Sequence, residues 1–330
     1  MKQLSLTQLT LLKELADGEC HSGNALGERL SISRTAVWKH VRQLLEWGLP
    51  IQRIPQQGYQ LNTPISFLDE RTIIKHLHLR NFKTPLQFHI QPIIGSTNQF
   101  LKELTGDSTL SICCAEMQTA GRGRFGRQWI SPFAENIYFS SRWQLDCCLS
   151  QLSGLSLLVG LAVLAALKDS GIDETIQLKW PNDLIWSHKK LCGILIEVIA
   201  ESNGCAQVII GIGLNVNTET DKLPIPDKPW CSLYEITGKR QDRNHLLANL
   251  IYQLHQHMQE FLNSGFASFL SDWQTVDYLA GKLITVSQPN GLLHGKALGV
   301  NQFGQLCLQD EAGVCHELSS GDTSVNTIEH

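Results

Sequence analysis

The sequence lacks the features that mark secreted, membrane-spanning and zinc-finger proteins. Its ten cysteines include no C-x-x-C pair, and its two Cys-Cys doublets are poorly arranged for bridging or chelating. The N-terminus carries no signal peptide, and the longest apolar run, residues 154–167, is too short to span a bilayer. Internal repeats and low-complexity segments are also absent from it. We therefore predict a cytoplasmic protein without a membrane anchor, whose cysteines are buried, reduced thiols.

Charge and length set two further limits on the function. A formal net charge of −4 argues against a protein that coats nucleic acid along its whole length. Residues 1–64 nevertheless carry seven Lys/Arg against five Asp/Glu, which permits a local DNA-binding module. With 42% hydrophobic and 18% charged residues, the 330-residue chain fits two or three globular domains of ordinary composition.

The first sixty residues predict three short helices followed by a β-hairpin. The inner face of the first helix is expected to contain Leu6, Leu9, Leu12, Leu15 and Ala16. The inner face of the third helix is expected to contain Val37, Val41, Leu44 and Leu45. Alternating segments on either side of Pro55–Gly58 then form a hairpin, or wing. This order predicts a winged helix-turn-helix domain at 1–64, and a helical bundle used for protein contacts is the alternative.

The third helix presents a basic face to solvent. Arginine and lysine at the start of such a helix can reach base edges and phosphates in the major groove. The candidate DNA-binding residues in this helix and in the turn before it are Ser33, Arg34, Thr35, Lys39 and Arg42. These residues predict that DNA is a partner of the N-terminal domain.

From about residue 65 the pattern changes to mixed helix and strand. Residues 110–117 predict a buried strand, and residues 206–210 predict another that ends in glycines. After residue 273, short strands near 282–286, 292–300, 305–309 and 314–318 suggest a small barrel. We therefore predict an α/β multi-domain protein, with a mixed-sheet domain at 65–273 and a β-barrel domain at 274–330.

The most unusual segment is Gly121–Arg127, here called the arginine loop, in which three glycines and three arginines occupy seven positions. Glycine lets a ligand approach the backbone closely, and arginine offers a planar fork of donors to carboxylate or phosphate. The loop satisfies G-x-G-x-x-G, but dinucleotide folds read pyrophosphate mainly through backbone and a helix N-terminus. A P-loop is excluded because Arg127-Gln128 stands where Lys-Ser/Thr is required. We predict an anion-binding loop, with an exposed basic turn as the alternative.

Other polar residues fall at the ends of predicted strands and helices. Ser96 and Asn98 either cap a helix or hydrogen-bond a ligand. Asn182 and Asp183, which follow a proline, either close a turn or complete a site. The candidate ligand residues outside the arginine loop are Ser96, Thr97, Asn98, Gln118, Trp129, Asp183, Lys190, Gly193 and Asn215. Lys189 and Lys190 beside a glycine again suit an anion, and Trp129 could stack on a flat ring.

Together these motifs resemble the family of bifunctional biotin protein ligases and biotin operon repressors over essentially the whole chain. The motifs occur in family order and are Ser96-Thr97-Asn98, Gln118, Gly121–Arg127, Lys179–Asp183, Lys190–Gly193 and Gly211–Asn215. The N-terminal helix-turn-helix with its wing is similar to the repressor class of this family. The resemblance implies a central mixed-sheet ligase domain and a C-terminal SH3-like barrel.

The resemblance also implies a two-step reaction that uses biotin, ATP and Mg²⁺ bound to the nucleotide. Biotin carboxylate attacks the α-phosphate of ATP, giving biotinyl-5′-AMP and pyrophosphate. A lysine on the biotin carboxyl carrier protein of acetyl-CoA carboxylase then attacks this mixed anhydride. By the same likeness the protein represses biotin synthesis genes at operator DNA, and it forms a homodimer when biotinyl-5′-AMP is bound.

Family likeness assigns roles to individual residues as well. The implied catalytic residues are Lys190, Arg122, Arg124 and Asp183, with Asp183 as a hypothetical general base. The implied biotin and nucleotide contacts are Ser96, Thr97, Asn98, Gln118, Gly121, Arg122, Gly123, Arg124, Trp129, Lys190, Gly193 and Asn215. Among these, the resemblance assigns Ser96, Thr97 and Gln118 to the biotin site and places Trp129 near the adenine. No protein-held metal site is expected.

Two positions depart from the family pattern, and two other functions compete with this one. Phe125 stands where a related repressor carries arginine near its dimer surface, and Asn326 stands where an arginine associated with ATP is usual. A lipoate ligase shares the central fold but does not normally carry the arginine loop or a winged N-terminal domain. A biotin-sensing repressor without ligase activity would not need Lys190 or the arginine loop.

Overall fold

A computed structural model describes residues 4–105, 110–202, 205–219, 229–289 and 291–325, with only the backbone of 200–202. The helices are α1 Leu6–Glu14, α2 Gly23–Leu30, α3 Arg34–Glu46, α4 Glu70–Leu79, α5 Thr97–Glu103, α6 Leu155–Asp169, α7 Leu233–Thr237, α8 Arg243–Ser264 and α9 Leu270–Val276. The strands are β1 Ile51–Ile54, β2 Gly58–Leu61, β3 Gln87–Gln91, β4 Leu110–Ala115, β5 Ile137–Leu145, β6 Gln177–Lys179, β7 Asp183–Trp186, β8 Lys189–Ser202, β9 Cys205–Leu214, β10 Leu283–Gln288, β11 Gly291–Val300, β12 Leu306–Gln309, β13 Cys315–Leu318 and β14 Asp322–Val325.

The N-terminal segment forms the predicted helix-turn-helix with a wing. Ser31 takes a left-handed conformation, with φ of 55°, and closes the turn between α2 and α3. The hydroxyl of Ser33 accepts a hydrogen bond from Ala36 N at 3.2 Å and so caps the start of α3. Antiparallel pairing of β1 with β2 forms the wing behind this helix pair. The second helix of the helix-turn-helix, α3, here called the recognition helix, therefore starts at a defined position and continues for 13 residues.

Two leucines of this segment do not face the core as the sequence predicted. Leu6 is 81% exposed and Leu45 is 43% exposed. The buried face of α1 and its C-cap instead consists of Gln8, Leu11, Leu12 and Leu15. Gln8 can be buried because its Nε2 donates to Gln43 Oε1 at 2.9 Å. The predictions for Leu6 and Leu45 were wrong, because Gln8 is buried on α1 where Leu6 is exposed, and Leu44 is buried on α3 where Leu45 is exposed.

A buried ion pair anchors the chain where it leaves the N-terminal segment. Arg243 Nη1 lies 2.7 Å from Glu116 Oε2, and each side chain is 2% exposed. Arg243 also donates to Ser66 O at 2.6 Å, and Leu68 N donates to Glu116 Oε1 at 2.6 Å. Because removing one partner would leave a buried charge, this pair specifies the path of residues 66–68.

A seven-stranded mixed sheet forms the centre, in the order β3-β4-β5-β9-β8-β7-β6. β3 and β4 run parallel, and the other neighbours run antiparallel. The apolar helix α6 packs on one face, where Gly160 approaches Leu178 and Ile194, and α8 packs on α6. Across the described ranges, no helix combines the length and apolarity needed to cross a bilayer.

The other face of the sheet carries α5, and two glycines of β9 leave this face without side chains at their positions. The strand expected at 206–210 continues to Leu214, so Gly211 and Gly213 lie inside it and not in a loop. A Cβ at Gly211 would come within 2.3 Å of Asn98 Oδ1, and one at Gly213 within 2.5 Å of Trp129 Cε2. These glycines therefore let two side chains lie directly on the strand.

The C-terminal segment is a five-stranded antiparallel sheet in the order β13-β12-β11-β10-β14. Its first four strands fall where the sequence predicted them, whereas β14 was not predicted. Apolar residues of this sheet, including Ile284 and Leu308, join the core of the central domain. The segment is therefore strand-rich as expected, and Asn326 lies outside the described residues.

The cysteines are all free, but only half of them are buried. The buried ones are Cys113, Cys114, Cys147, Cys192 and Cys231. Burial raises the pKa of Cys113 to about 12, so this thiol stays protonated and packs as an apolar group. The prediction of buried thiols was wrong for the other five, because Cys20, Cys148, Cys205 and Cys307 are partly exposed and Cys315 is exposed.

Candidate active site

A cavity of about 560 Å³ opens on the sheet face opposite α6 and gathers almost all of the candidate ligand residues. Its lining includes Ser96, Thr97, Asn98, Gln118, Arg122, Gly123, Arg124, Trp129, Asp183, Lys190, Gly193 and Asn215. Gly121 differs from the expectation, because it is buried behind the loop and does not line the cavity. A Cβ there would come within 2.7 Å of Trp129 O, so this glycine serves the turn itself.

The arginine loop is a tight turn at the mouth of this cavity. Gly123 N donates to Arg127 O at 2.7 Å, and Trp129 N donates to Gly121 O at 2.9 Å. At the tip, Phe125 has φ of 56°, a left-handed conformation that is uncommon for a residue with a side chain. Its ring is 65% exposed, and Arg124 Cζ lies 4.9 Å from the ring centroid. The loop therefore has a hydrogen-bonded stem and an exposed aromatic tip.

Arg124 is the arginine that reaches over the cavity. Its Nη1 donates to Asn182 Oδ1 at 3.2 Å. Burial lowers the pKa of the guanidinium, and the nearby carboxylates of Asp183 and Asp322 act in the opposite direction. Arginine remains protonated in such a setting, so a fixed positive charge lies at the rim.

The other two arginines have partners outside the cavity centre. Arg122 Nη2 donates to Gln99 Oε1 at 3.0 Å, which holds it against α5. Arg127 forms an ion pair with Asp322 at the start of β14. The arginine loop is thus tied on one side to the central domain and on the other to the C-terminal sheet.

Lys190 and Asp183 form a charge pair in the middle of the cavity. The two residues lie on the neighbouring strands β8 and β7, and Lys190 Nζ is 2.6 Å from Asp183 Oδ1. The same amine lies 5.5 Å from the ring centroid of Trp129. Lys189 points away, as alternate residues of a strand do, and pairs with Glu235. Of the two predicted lysines, Lys190 alone lines the cavity in the described structure.

Trp129 forms a flat aromatic wall of the cavity. The positions where Gly193 and Gly213 would carry a Cβ lie 2.9 Å and 2.5 Å from its indole. Its Nε1 is buried and has no hydrogen-bond partner within the described ranges. An indole face over glycines suits stacking with a planar ring.

The opposite end of the cavity is lined by hydrogen-bonding groups. Thr97 N donates to Gln118 Oε1 at 2.9 Å, which fixes the orientation of the Gln118 amide. Ser96 occupies the N-cap position of α5 but makes no capping hydrogen bond. The capping interpretation therefore does not account for Ser96, whose side chain lines the cavity.

Sequence reasoning did not single out several residues of this cavity. Arg127 was part of the loop but received no role, and Asp322 is separated from it by 195 positions. Trp230 also lines the wall and follows residues that lie outside the described structure. Charge complementarity was the available signal for Arg127 and Asp322, but it cannot select one carboxylate among 31 acidic residues.

The predicted DNA-binding residues lie together on the exposed side of α3. Ser33, Arg34, Thr35, Lys39 and Arg42 are all exposed. Arg42 Nε lies 3.1 Å from Glu46 Oε1, and the Ser33 hydroxyl is engaged as the helix cap. Arg34 and Lys39 therefore offer the more accessible charges of this face.

Comparison with known families finds two matches along the chain. Residues 90–215 match the model described as "Biotin/lipoate A/B protein ligase family". Residues 7–60 match a model described as "HTH domain". The two matches coincide with the mixed sheet and with the helix-turn-helix, respectively.

Individual relatives match over nearly the whole chain. The "Bifunctional ligase/repressor BirA" of Salmonella typhimurium is 37% identical over 97% of this chain and 98% of its own. The protein of the same name from Escherichia coli is 35% identical over the same shares. A solved structure, "Biotin protein ligase from Aquifex aeolicus in complex with biotin and ATP", superposes with a TM-score of 0.61 and 30% identity. It covers 73% of this chain and 98% of its own.

Proposed function

The chain belongs to the family of bifunctional biotin ligase/repressors, and from this premise we propose that it biotinylates a carrier protein and represses biotin synthesis genes. One observation carries the ligase half. A single cavity holds a hydrogen-bonding end, an aromatic wall, and the Lys190–Asp183 pair beside that wall. Biotin needs donors and acceptors for its ureido ring, adenine needs a flat wall, and the carboxylate–phosphate junction needs positive charge.

In the first step the biotin carboxylate attacks the α-phosphorus of ATP and pyrophosphate leaves. Both reactants are anions, so catalysis requires charge neutralisation and alignment. Lys190 leaves Asp183 to meet the developing charge, while Arg124 covers the phosphates from the rim. Arg122, now held by Gln99, closes onto the intermediate. The product is a mixed anhydride, biotinyl-5′-AMP, which the arginine loop shields from water.

In the second step a carrier lysine attacks the acyl carbon of the anhydride and AMP leaves. The attacking amine must be neutral, and the nitrogen loses a proton once the amide forms. Asp183 is the carboxylate placed to take that proton, because it faces the cavity beside Lys190. We propose the biotin carboxyl carrier protein of acetyl-CoA carboxylase as the source of the lysine.

Mg²⁺ is proposed to enter with the nucleotide and not to occupy a protein-built site. In the described ranges no three His, Cys, Asp or Glu side chains are grouped in a way that could hold a metal ion. Phosphate oxygens and water commonly fill most of the Mg²⁺ coordination sphere. Asp183 is the cavity carboxylate that fits as an additional ligand, and Mg²⁺ there would neutralise phosphate charge.

DNA binding is proposed to depend on a homodimer that forms when biotinyl-5′-AMP is bound. Two recognition helices related by a two-fold axis can span two half-sites of an operator. The family name supports a repressor, and the exposed basic face of α3 supports DNA contact. Phe125, exposed at the tip of the arginine loop, is proposed to replace an arginine near the dimer surface.

We also propose an architecture for the C-terminal sheet, three domain bounds and a cellular location. The five-stranded C-terminal sheet is proposed to be an SH3-like barrel, supported by its strand number and antiparallel order. The domain bounds 1–64, 65–273 and 274–330 are supported by the change from helix-turn-helix to mixed sheet to antiparallel sheet. The ten free thiols support a cytoplasmic location.

Calorimetric titration with biotin and with lipoate separates the two ligases that share this fold. We expect biotin to bind and lipoate not to bind, because the polar end of the cavity requires a ring with hydrogen-bonding groups. Preferential binding of lipoate would refute the proposed substrate. Binding of biotin without pyrophosphate release in the presence of Mg-ATP would instead favour a sensor without ligase activity.

A further inference from the structure

A chain of buried polar side chains leads from the biotin end of the cavity into the sheet. Asn98 Nδ2 lies 2.8 Å from Glu197 Oε2, and Asn98 Oδ1 lies 2.5 Å from Ser140 Oγ. Ser140 Oγ in turn lies 2.7 Å from Thr97 Oγ1. Ser140 has no exposed surface, and Asn98 and Thr97 are 4% and 3% exposed. The chain thus joins a strand carboxylate to a residue that lines the cavity.

Glu197 fixes the direction of the first bond in this chain. An ionised carboxylate accepts hydrogen bonds and cannot donate them. The NH₂ group of Asn98 must therefore face Glu197, and its carbonyl oxygen must face Ser140. Gly211 makes room for this arrangement, since a Cβ there would come within 2.3 Å of Asn98 Oδ1.

The directions of the other hydrogen bonds follow because each hydroxyl carries a single hydrogen. Asn98 Oδ1 can only accept, so the Ser140 hydrogen is committed to it. Thr97 must then donate to Ser140 at 2.7 Å and not to Gln118 Oε1 at 3.1 Å. Gln118 Oε1 already receives the backbone N–H of Thr97 at 2.9 Å. Because its hydrogen points towards Ser140, Thr97 Oγ1 can only accept hydrogen bonds from a group in the cavity.

We propose that Glu197 is a positioning residue that makes Thr97 an obligatory hydrogen-bond acceptor for a ligand N–H. This inference rests on the proposed function, because it concerns how the same cavity recognises its acyl substrate. A cyclic urea carries N–H donors that match such an acceptor, whereas a dithiolane ring carries none. The carboxylate therefore contributes to substrate selection through two intervening side chains, without touching the substrate.

Two substitutions at Glu197 test the proposal by calorimetry. Glu197→Met removes the close acceptor and leaves Asn98 Nδ2 only a 3.5 Å contact with Leu195 O, so we expect Asn98 to turn over and reverse the direction of the whole chain. We expect the biotin Kd to rise about tenfold, the scale of one unmatched hydrogen bond, with the KM for ATP unchanged. Glu197→Gln keeps a carbonyl that can accept from Asn98, so it should stay within about twofold of wild type.

A matched control separates the carboxylate's role from its surface ion pair. Lys102 Nζ lies 3.5 Å from the other oxygen, Glu197 Oε1, and is 40% exposed. Lys102→Met removes that pair and leaves the Asn98 contact intact. We expect biotin affinity within about twofold of wild type, because exposed pairs contribute little.

The decisive readout uses two biotin analogues in which one or the other ureido N–H is replaced by a ring oxygen. Wild type should lose about tenfold in affinity for the analogue that lacks the N–H facing Thr97. In Glu197→Met this particular loss should shrink towards onefold. If the Met variant weakens biotin and both analogues by one common factor, or weakens none, the proposal is overturned. Failure of wild type to bind biotin would instead contradict the proposed function.

Discussion

Two glycines of one strand set the positions of both ends of the active site. Gly211 lies beneath Asn98, at the end of the cavity that is proposed to bind biotin, and Gly213 lies beneath the indole of Trp129. A methyl group at either position would overlap the neighbouring side chain. Because the packing is tight, that side chain would have to move. We therefore expect substitutions at the two glycines to have separable effects on the binding of biotin and of ATP.

Replacing each glycine by alanine tests this division. In Gly213→Ala the indole must shift, so we expect the KM for ATP to rise roughly tenfold or more, with a smaller effect on biotin. In Gly211→Ala the Asn98 amide must move, so the larger effect should fall on the biotin Kd. Steady-state kinetics and calorimetry measure the two effects. Equal losses for both substrates in both variants would contradict the division.

At Asp183 the two half-reactions are expected to respond differently to substitution. Asp183→Asn keeps the shape of the side chain but removes its basicity. We expect transfer from preformed biotinyl-5′-AMP to the carrier to slow by about 100-fold, within the range for general-base catalysis. Quenched-flow measurement of that single step is the test, and transfer at the full wild-type rate would rule out Asp183 as the base.

The arginine loop is held at its stem and exposed at its tip. The stem bonds between Gly123 and Arg127 and between Trp129 and Gly121 fix the turn, while Phe125 projects into solvent. Its arginines now bind Gln99, Asn182 and Asp322, which are protein groups that an anionic ligand can replace. Ligand binding is therefore expected to change which groups hold the loop.

Limited trypsin digestion measures this change directly. We expect cleavage after the loop arginines in the free protein, and suppression of it by biotin plus ATP, because the guanidinium groups are proposed to engage the bound adenylate. Biotin alone should protect less, since the nucleotide supplies the phosphates. Cleavage at the same rate with and without both ligands would mean that the loop does not close.

Local patterns predicted most elements, and long-range pairing explains what they did not predict. The helix-turn-helix, the mixed sheet and four C-terminal strands follow from periodicity and turn residues. The continuation of β9 through Gly211 and Gly213 was missed, because glycine usually weakens a strand. Here the two glycines make room for Asn98 and Trp129 to lie against the strand. The Arg127–Asp322 pair was missed for a different reason, since it depends on how two domains meet.

The N-terminal segment packs against the central domain close to the active site. Core residues of the N-terminal helices pack with Ile93 and Phe133 of the central domain. Trp47, the C-cap of α3, lines a second cavity of about 310 Å³ that is also bordered by Gln118 and Trp129. Changes at the active site thus have a short, contiguous route of contacts to the recognition helix.

The DNA-binding face is expected to be separable from catalysis despite this contact. Replacing Arg34 and Lys39 together by alanine should weaken operator binding by at least about tenfold and reduce its salt dependence, because phosphate contacts are lost. Pyrophosphate release should stay unchanged. Lys75→Ala, on the exposed side of α4, is the matched control and should alter neither property. Equal operator affinity for the double variant and wild type would exclude this face.

Pyrophosphate release from ATP and Mg²⁺ in the presence of biotin, with and without a carrier domain, tests directly whether the protein is a biotin ligase. We predict little release without biotin, a single turnover with biotin alone, and sustained release with biotin and carrier together, accompanied by biotin on one carrier lysine. Lys190→Ala should abolish the burst. Biotin-independent release, or no release when all substrates are present, would contradict the account.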